Sequence, residues 1–306
     1  MKCFFLGIMV CFLLNCCHVS QQEDYIYTPL KAEDSLASFL SLPVEIFYYK
    51  NYLFVHDFFG ENGLINVIDS SKDSTLFSFL SKGGGPNEVV SLSNLDMFTD
   101  NGQHLFGVFD VNTKNYRSYL IDSILVNKGN LNPFLEKKVE IPYSINRLHK
   151  TDRGYLATGF FPDGKFAVLN DSLELIRYVG EYRPHENKRF SPLLHAQANI
   201  GASRLAPDRN GFANIIFHAG VVEFYTVDAD TVIKEWEFVE SELDYSVKNG
   251  GEIQNNRVEG FISVDVTDQF VFALYSGNMF DIDEIATYGK YVYQFDLNGN
   301  MVKVYE

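Results

Sequence analysis

The sequence predicts an all-β chain built as a β-propeller of four-stranded blades, and three observations carry that prediction. Phe (27) and Tyr (18), with abundant Val and Ile and a single Trp, favour strands over helices. A short apolar strand closing on Asp recurs at intervals typical of a propeller blade. No Cys follows residue 17, so the folded part has no disulfide, thiolate metal site or catalytic thiol and relies on its hydrophobic core.

The chain opens with the positive pair Met1-Lys2 and an apolar run, Cys3 to Leu14. A helix of that length spans ~18 Å, too short for a hydrocarbon core of ~30 Å, so the run reads as a secretory signal. It ends in Leu13-Leu14-Asn15-Cys16-Cys17, which resembles a lipobox, with Asn15 standing where Gly, Ala or Ser is usual. Cys16, or alternatively Cys17, is then the diacylated anchor, and two acyl chains at ~0.8 kcal/mol per buried CH₂ hold a membrane stably. An ordinary secretory peptide with incidental cysteines is the competing reading. The division expected is 1–16 lipoprotein signal peptide and anchor, 17–42 tether and N-terminal segment, and 43–306 β-propeller. Within the middle segment, His18 to Asp24 reads as a tether, Tyr25-Ile26-Tyr27 as a strand and Ala32 to Leu40 as two helical turns.

From Pro43 the repeat takes over. Its third strands are Leu64–Asp69, Tyr116–Asp122, Phe166–Asp171, Val222–Asp228 and Tyr291–Asp296. The steps between those Asp residues are 53, 49, 57 and 68, the last lengthened by a polar insertion, Ser241 to Glu259. Each Asp is expected to cap its turn by accepting backbone N–H groups two residues on. A second strand precedes each of these, at Tyr52–Asp57, Leu105–Phe109, Gly154–Thr158, Gly211–Phe217 and Phe270–Tyr275. First strands are read at Glu45–Tyr49, Leu95–Phe98, Ser144–Leu148, Ala202–Leu205 and Phe261–Val266. Fourth strands are read at Thr75–Leu80, Leu173–Val179, Thr231–Phe238 and Met301–Tyr305, with none in the second unit. Such a sheet cannot bury both faces alone, so the units must stack about an axis. Five units are visible. Either five blades close the ring, with the Tyr25 strand completing a sheet, or a six-bladed relative lacks its last blade.

The lipobox-like start, the blades and the segment Lys82-Gly83-Gly84-Gly85-Pro86-Asn87-Glu88 together resemble the TolB-like six-bladed propeller lipoproteins of Bacteroidetes. Gly83, Gly85, Pro86 and Glu88 match that family's G-x-G-P-x-E segment. The resemblance covers most of residues 20–306 and implies six blades and a surface or periplasmic lipoprotein. On physical grounds the segment is a blade-to-blade turn. It lacks the G-x-x-x-x-G-K-[ST] of a phosphate loop, and Glu88 is placed to accept neighbouring backbone N–H groups.

Signatures of chemistry are sparse. Seven His are scattered without metal spacing, and no metal site or cofactor is expected. Asp281-Ile282-Asp283-Glu284 lacks the Gly and third ligand of a calcium loop. No G-x-S-x-G elbow occurs. A net charge of −15 argues against nucleic acid as a partner, since phosphate neutralisation needs a basic face. Arg147 and Arg204, near the ends of first strands, are candidates to hold a carboxylate or sulfate at the channel, against structural pairing with Asp152 or Asp208. His195, in the inter-blade stretch Arg189 to Ile200, is the third candidate. The function expected is a membrane-anchored, exported, non-enzymatic binding module for a glycan, peptide or protein. A propeller glycan hydrolase or lyase with a channel-mouth site is the alternative.

Overall fold

In the computed structural model, the residues described are 26–31, 40–72, 74–85, 87–128, 131–184, 191–228, 230–243, 245–248, 252–255, 259–278 and 289–306. Cys16 and Cys17, the candidate anchor residues, the segment 32–39, Pro86 and the acidic run 281–284 lie outside them. The described residues form five antiparallel four-stranded blades in chain order, the last extended by a fifth, parallel strand, together with two two-stranded pairs.

β1 (Tyr27–Thr28) precedes the blades. Blade one is β2 (Pro43–Tyr49), β3 (Tyr52–Asp57), β4 (Ile65–Asp69) and β5 (Ser74–Phe79). A short parallel pair, β6 (Ser81–Lys82) and β7 (Glu88–Val89), leads to blade two: β8 (Leu92–Asp100), β9 (Gln103–Asp110), β10 (Asn115–Leu120) and β11 (Leu135–Lys138). Helix α1 (Ile121–Asn127) interrupts that blade. Blade three is β12 (Ile145–Thr151), β13 (Gly154–Gly159), β14 (Phe166–Leu169) and β15 (Leu175–Val179), followed by α2 (Pro192–Ala198). Blade four is β16 (Ser203–Leu205), β17 (Gly211–Ile216), β18 (Gly220–Asp228) and β19 (Thr231–Ser241). A hairpin of β20 (Tyr245–Lys248) and β21 (Glu252–Asn255) fills part of the polar insertion. Blade five is β22 (Phe261–Val266), β23 (Phe270–Tyr275), β24 (Tyr291–Asp296) and β25 (Met301–Tyr305).

Burial along β23 alternates between partly and fully buried, as a period-2 strand between two environments requires. The turn caps follow the expected chemistry in two blades. Asp69 accepts from Ser71 N at 3.0 Å, and Asp296 from Asn298 N and Asn300 N at 2.9 Å each. In blade three the cap is Asn170 rather than Asp171, accepting from Ser172 N and Glu174 N. Asp122 caps no hairpin: it sits in the first turn of α1, where a carboxylate complements the positive helix end. The fourth strand of blade two follows that helix and carries Leu-Glu-Lys-Lys, a polar stretch with no apolar run to betray it.

Aromatic and aliphatic clusters fill the boundaries between successive blades. Phe54, Phe79 and Phe106 join blades one and two; Phe109, Tyr116 and Tyr155 join two and three. Phe166, Phe212 and Tyr225 join three and four. Phe224, Trp236, Phe261 and Phe295 join four and five. Among the described residues no such cluster joins blade five to blade one. Val44, Ile46 and Tyr48 on β2 are exposed, Tyr48 at 62%. The backbone makes that link instead. β1 adds to the outer edge of blade five in parallel with β25, Tyr27 opposite Val304, and the chain then runs to β2. The strand read at Tyr25–Tyr27 is thus seen at Tyr27–Thr28, where it extends the sheet of the last blade, as expected.

Candidate functional site

Four of the five inner strands carry a β-bulge near their start, at Val44, Ser93, Asn146 and Ile262. A bulge turns the following side chain out of the regular alternation. The residues so placed are Glu45, Asn94, Arg147 and Ser263, and three of them bond across blades. Asn94 exchanges two hydrogen bonds with the Leu148 backbone, at 3.0 Å each. Arg147 Nη1 donates to Glu45 Oε1 at 2.6 Å, reaching from blade three to blade one. Leu95 N donates to the other Glu45 oxygen at 2.9 Å. Burial alone would raise the Glu45 carboxyl. Arg147 and Arg204, with those hydrogen bonds, outweigh it and hold the carboxyl below the usual carboxylate range.

Arg204 lies on the short, unbulged β16. Its Nε contacts Asp265 Oδ1 of blade five at 3.1 Å, and its guanidinium stacks over the Phe47 ring of blade one at 4.2 Å. The expected structural partners were wrong. Asp152 pairs with Arg209 at 2.7 Å, and Asp208 accepts Asn210 N and Gly211 N in its own turn. Asp152 thus meets the turn residue Arg209 instead of Arg147 or Arg204, and Asp208 is used within its own turn.

Two cavities of about 300 Å³ each meet around Arg204. The outer one takes lining from all five inner strands or their turns, including Phe47, Phe98, Lys150, Arg204, Arg209 and Asp265. The inner one is bounded by Glu45, Arg147, Ser203, Arg204 and Asp265, so its two Arg face two carboxylates. Arg147 and Arg204 therefore share one cavity wall. His195 does not join them: on α2, behind the Ser191 N-cap, its Nδ1 lies 2.9 Å from Tyr245 Oη of the insertion hairpin.

Sequence reasoning missed a hydrogen-bonded chain through blades two, three and four. Asp96 Oδ1 lies 2.8 Å from His149 Nδ1, and His149 Nε2 lies 2.9 Å from Ser203 Oγ. Lys150 N donates to the second Asp96 oxygen at 3.1 Å. Ser93 Oγ donates to Asn146 O close by. His149 is 0% exposed and Ser203 3%, so the chain works as a latch between blades. The signal was present, since Asp96, His149 and Ser203 recur at steps of 53 and 54, one blade apart. A second buried pair, Lys165 with Glu223, ties blade three to blade four, and Asn214 Nδ2 donates to the same carboxylate at 2.9 Å. Burial lowers the Lys165 pKa and the Glu223 charge opposes that.

At the blade-one exit, Gly85 N donates to Glu88 Oε2 at 2.7 Å. A Cβ at Gly83 would run into the Glu88 carboxylate, and one at Gly85 would stand 2.9 Å from it. Arg117 Nη1 donates to Glu88 O at 2.7 Å, fixing the turn to blade two. Among the described residues no cluster of His, Cys, Asp and Glu is arranged to hold a metal ion. No helix among them is long and apolar enough to cross a membrane.

The family model for TolB-like, 6-blade propeller-like proteins matches residues 24–306. The chain belongs to this TolB-like family. Its described residues supply five four-stranded blades where the family description counts six blades. Among solved structures, the TolB-like chain is similar to an exported-protein candidate of Bacteroides fragilis, with TM-score 0.51 and 15% identity over 91% of this chain and 74% of that one. It is also similar to a DUF4221 family member of Bacteroides vulgatus, with TM-score 0.50 and 10% identity over 87% and 84%. At these identities the likeness concerns the fold alone. No curated protein matches the sequence.

Proposed function

We propose that this TolB-like chain is an exported, lipid-anchored binding module that takes its ligand in the outer axial cavity. One observation carries the reading: a cavity of about 300 Å³ to which each of the five described blades contributes, combining aromatic side chains with guanidinium groups. Rigid sheets position those groups, and the Arg204–Phe47 stack keeps one of them oriented in advance. The anchor reading rests on Cys16 and its neighbour Cys17 behind the apolar run.

The test has two arms. Cells fed a labelled fatty acid should label the chain, and Cys16→Ser should abolish the label; persistence in the Cys16→Ser, Cys17→Ser double variant would sink the anchor. Purified protein screened on glycan and peptide arrays should retain a ligand that Arg204→Gln releases. Retention undiminished by that change would place binding elsewhere.

An enzymatic reading has one observation in its favour, because Asp96, His149 and Ser203 are linked in the order of a serine-hydrolase relay. Against it, His149 is fully enclosed and both ring nitrogens serve the blade framework. The binding reading expects a fluorophosphonate probe to leave Ser203 unmodified, and peptide mapping decides the point.

A further inference from the structure

We infer that the outer axial cavity recognises a carboxylate attached to an apolar group. The inference rests on the binding reading above and names the chemistry of its ligand. Three cations, Lys150, Arg204 and Arg209, line this cavity against two carboxylates, Asp96 and Asp265. The chain as a whole carries −15, so the local excess of cations runs against the general charge.

The partners of each group show which cations are available. Lys150 Nζ is spent on Asp171 and on Thr151 O, and Asp96 on His149 and Lys150 N. Asp265 forms an ion pair with Arg204 Nε and accepts its own neighbour Val266 N. That leaves Arg204 Nη1 and Nη2 without a hydrogen-bond acceptor among the described residues. Arg209 is held through Nη2 by Asp152 at 2.7 Å, while its Nη1 is buried with no partner. A guanidinium donor without an acceptor is costly, and a ligand oxygen at Arg204 would satisfy it, while the enclosed Nη1 of Arg209 adds positive charge to the same wall.

The rest of the wall selects what carries the carboxylate. Apart from the Tyr48 hydroxyl it is apolar: Ile46, Phe47, Met97, Phe98, Pro207 and Val266 offer no side-chain hydrogen bonds. A uronic acid carries more ring hydroxyls than the single Tyr48 hydroxyl could pair, and would leave the others unpaired against that wall. An apolar carboxylate, such as a peptide ending in Phe or a free aryl acid, buries its body on Phe47 and Phe98 and directs its charge to the two Arg.

The experiment is isothermal titration of the full chain in detergent with N-acetylphenylalanine, its amide, an acetylated hexapeptide ending in Phe with a free carboxylate, and galacturonate. The acid should bind at least tenfold more tightly than the amide, since a lost charge-assisted hydrogen bond is worth that much. Arg204→Gln and Arg209→Gln should each weaken the acid at least tenfold, with Arg209→Lys recovering part of the loss. Tighter binding of the hexapeptide than of the free acid assigns the site to chain ends, and equal binding to free acids; either result supports the inference. Equal binding of acid and amide, preference for galacturonate, or no binding by any probe overturns it. The acid–amide contrast needs no mutation, so a poorly folding variant does not blunt the test. An uncharged array ligand released by Arg204→Gln would overturn the carboxylate assignment while leaving the binding function in place.

Discussion

Replacing His149 with Leu tests whether the inner strands are latched by polar bonds as well as by packing. The position is fully enclosed, so Leu fills an apolar volume there without reaching solvent. Ser203 Oγ loses the imidazole at 2.9 Å, and Asp96 Oδ1 loses its partner at 2.8 Å. Asp96 keeps the bond from Lys150 N to its other oxygen, so the carboxylate is only half stripped. An unsatisfied buried hydroxyl costs about 1–3 kcal/mol and a carboxylate oxygen more, which sets the loss for His149→Leu at about 3–5 kcal/mol. His149→Gln, which retains a donor and an acceptor, should lose about 1–2 kcal/mol on the same reasoning. Urea denaturation followed by far-UV circular dichroism measures both, and the midpoint should fall while the slope holds. A loss below about 1 kcal/mol for His149→Leu, within the range of ordinary surface changes, would refute the latch.

Arg147→Met should cost about 3–5 kcal/mol by leaving the Glu45 carboxylate buried beside an uncharged side chain, and adding Glu45→Gln should restore much of it; urea midpoints of the single and double variants decide. His56 is buried with Nδ1 unpartnered, and burial lowers its pKa below the ordinary 6.5. The unfolded chain therefore binds a proton more readily than the folded one, and the His56 contribution is fully present above pH 6.5 and lost as pH falls through the lower folded value. Thermal melts between pH 5 and 8 (roughly the window in which His titrates) should show that slope, and His56→Phe should flatten it. Trp236, the single Trp, stacks on Phe224 at 5.7 Å and donates to Leu297 O of blade five at 3.1 Å. Its fluorescence transition in urea should coincide with the circular dichroism transition, and an earlier one would show blades four and five parting first.

The blade repeat was legible because its strands are apolar, short and evenly spaced, and because side chains such as Asp69 and Asp296 mark the same turn in different units. It failed in blade two, where α1 follows β10 directly and β11 carries two consecutive lysines. The axial site was half legible. Arg147 and Arg204 stood out as basic residues on predicted inner strands. Glu45 did not, because its place depends on the bulge at Val44 and on an Arg 102 residues further along. Arg209 was hidden for another reason: it belongs to a turn, and only the cavity places it beside Arg204.

The parallel pairing of β1 with β25 also has a kinetic side. Tyr27 meets Val304 across almost the whole chain, and closing a flexible loop of that length costs about 5 kcal/mol of entropy by the logarithmic rule. That contact becomes affordable only after the intervening blades have shortened the loop by packing. Blade five should therefore gain its outermost strand last, with residues 27–28 left unpaired through most of folding. The slowest refolding phase should then vanish when Tyr27 and Thr28 are deleted.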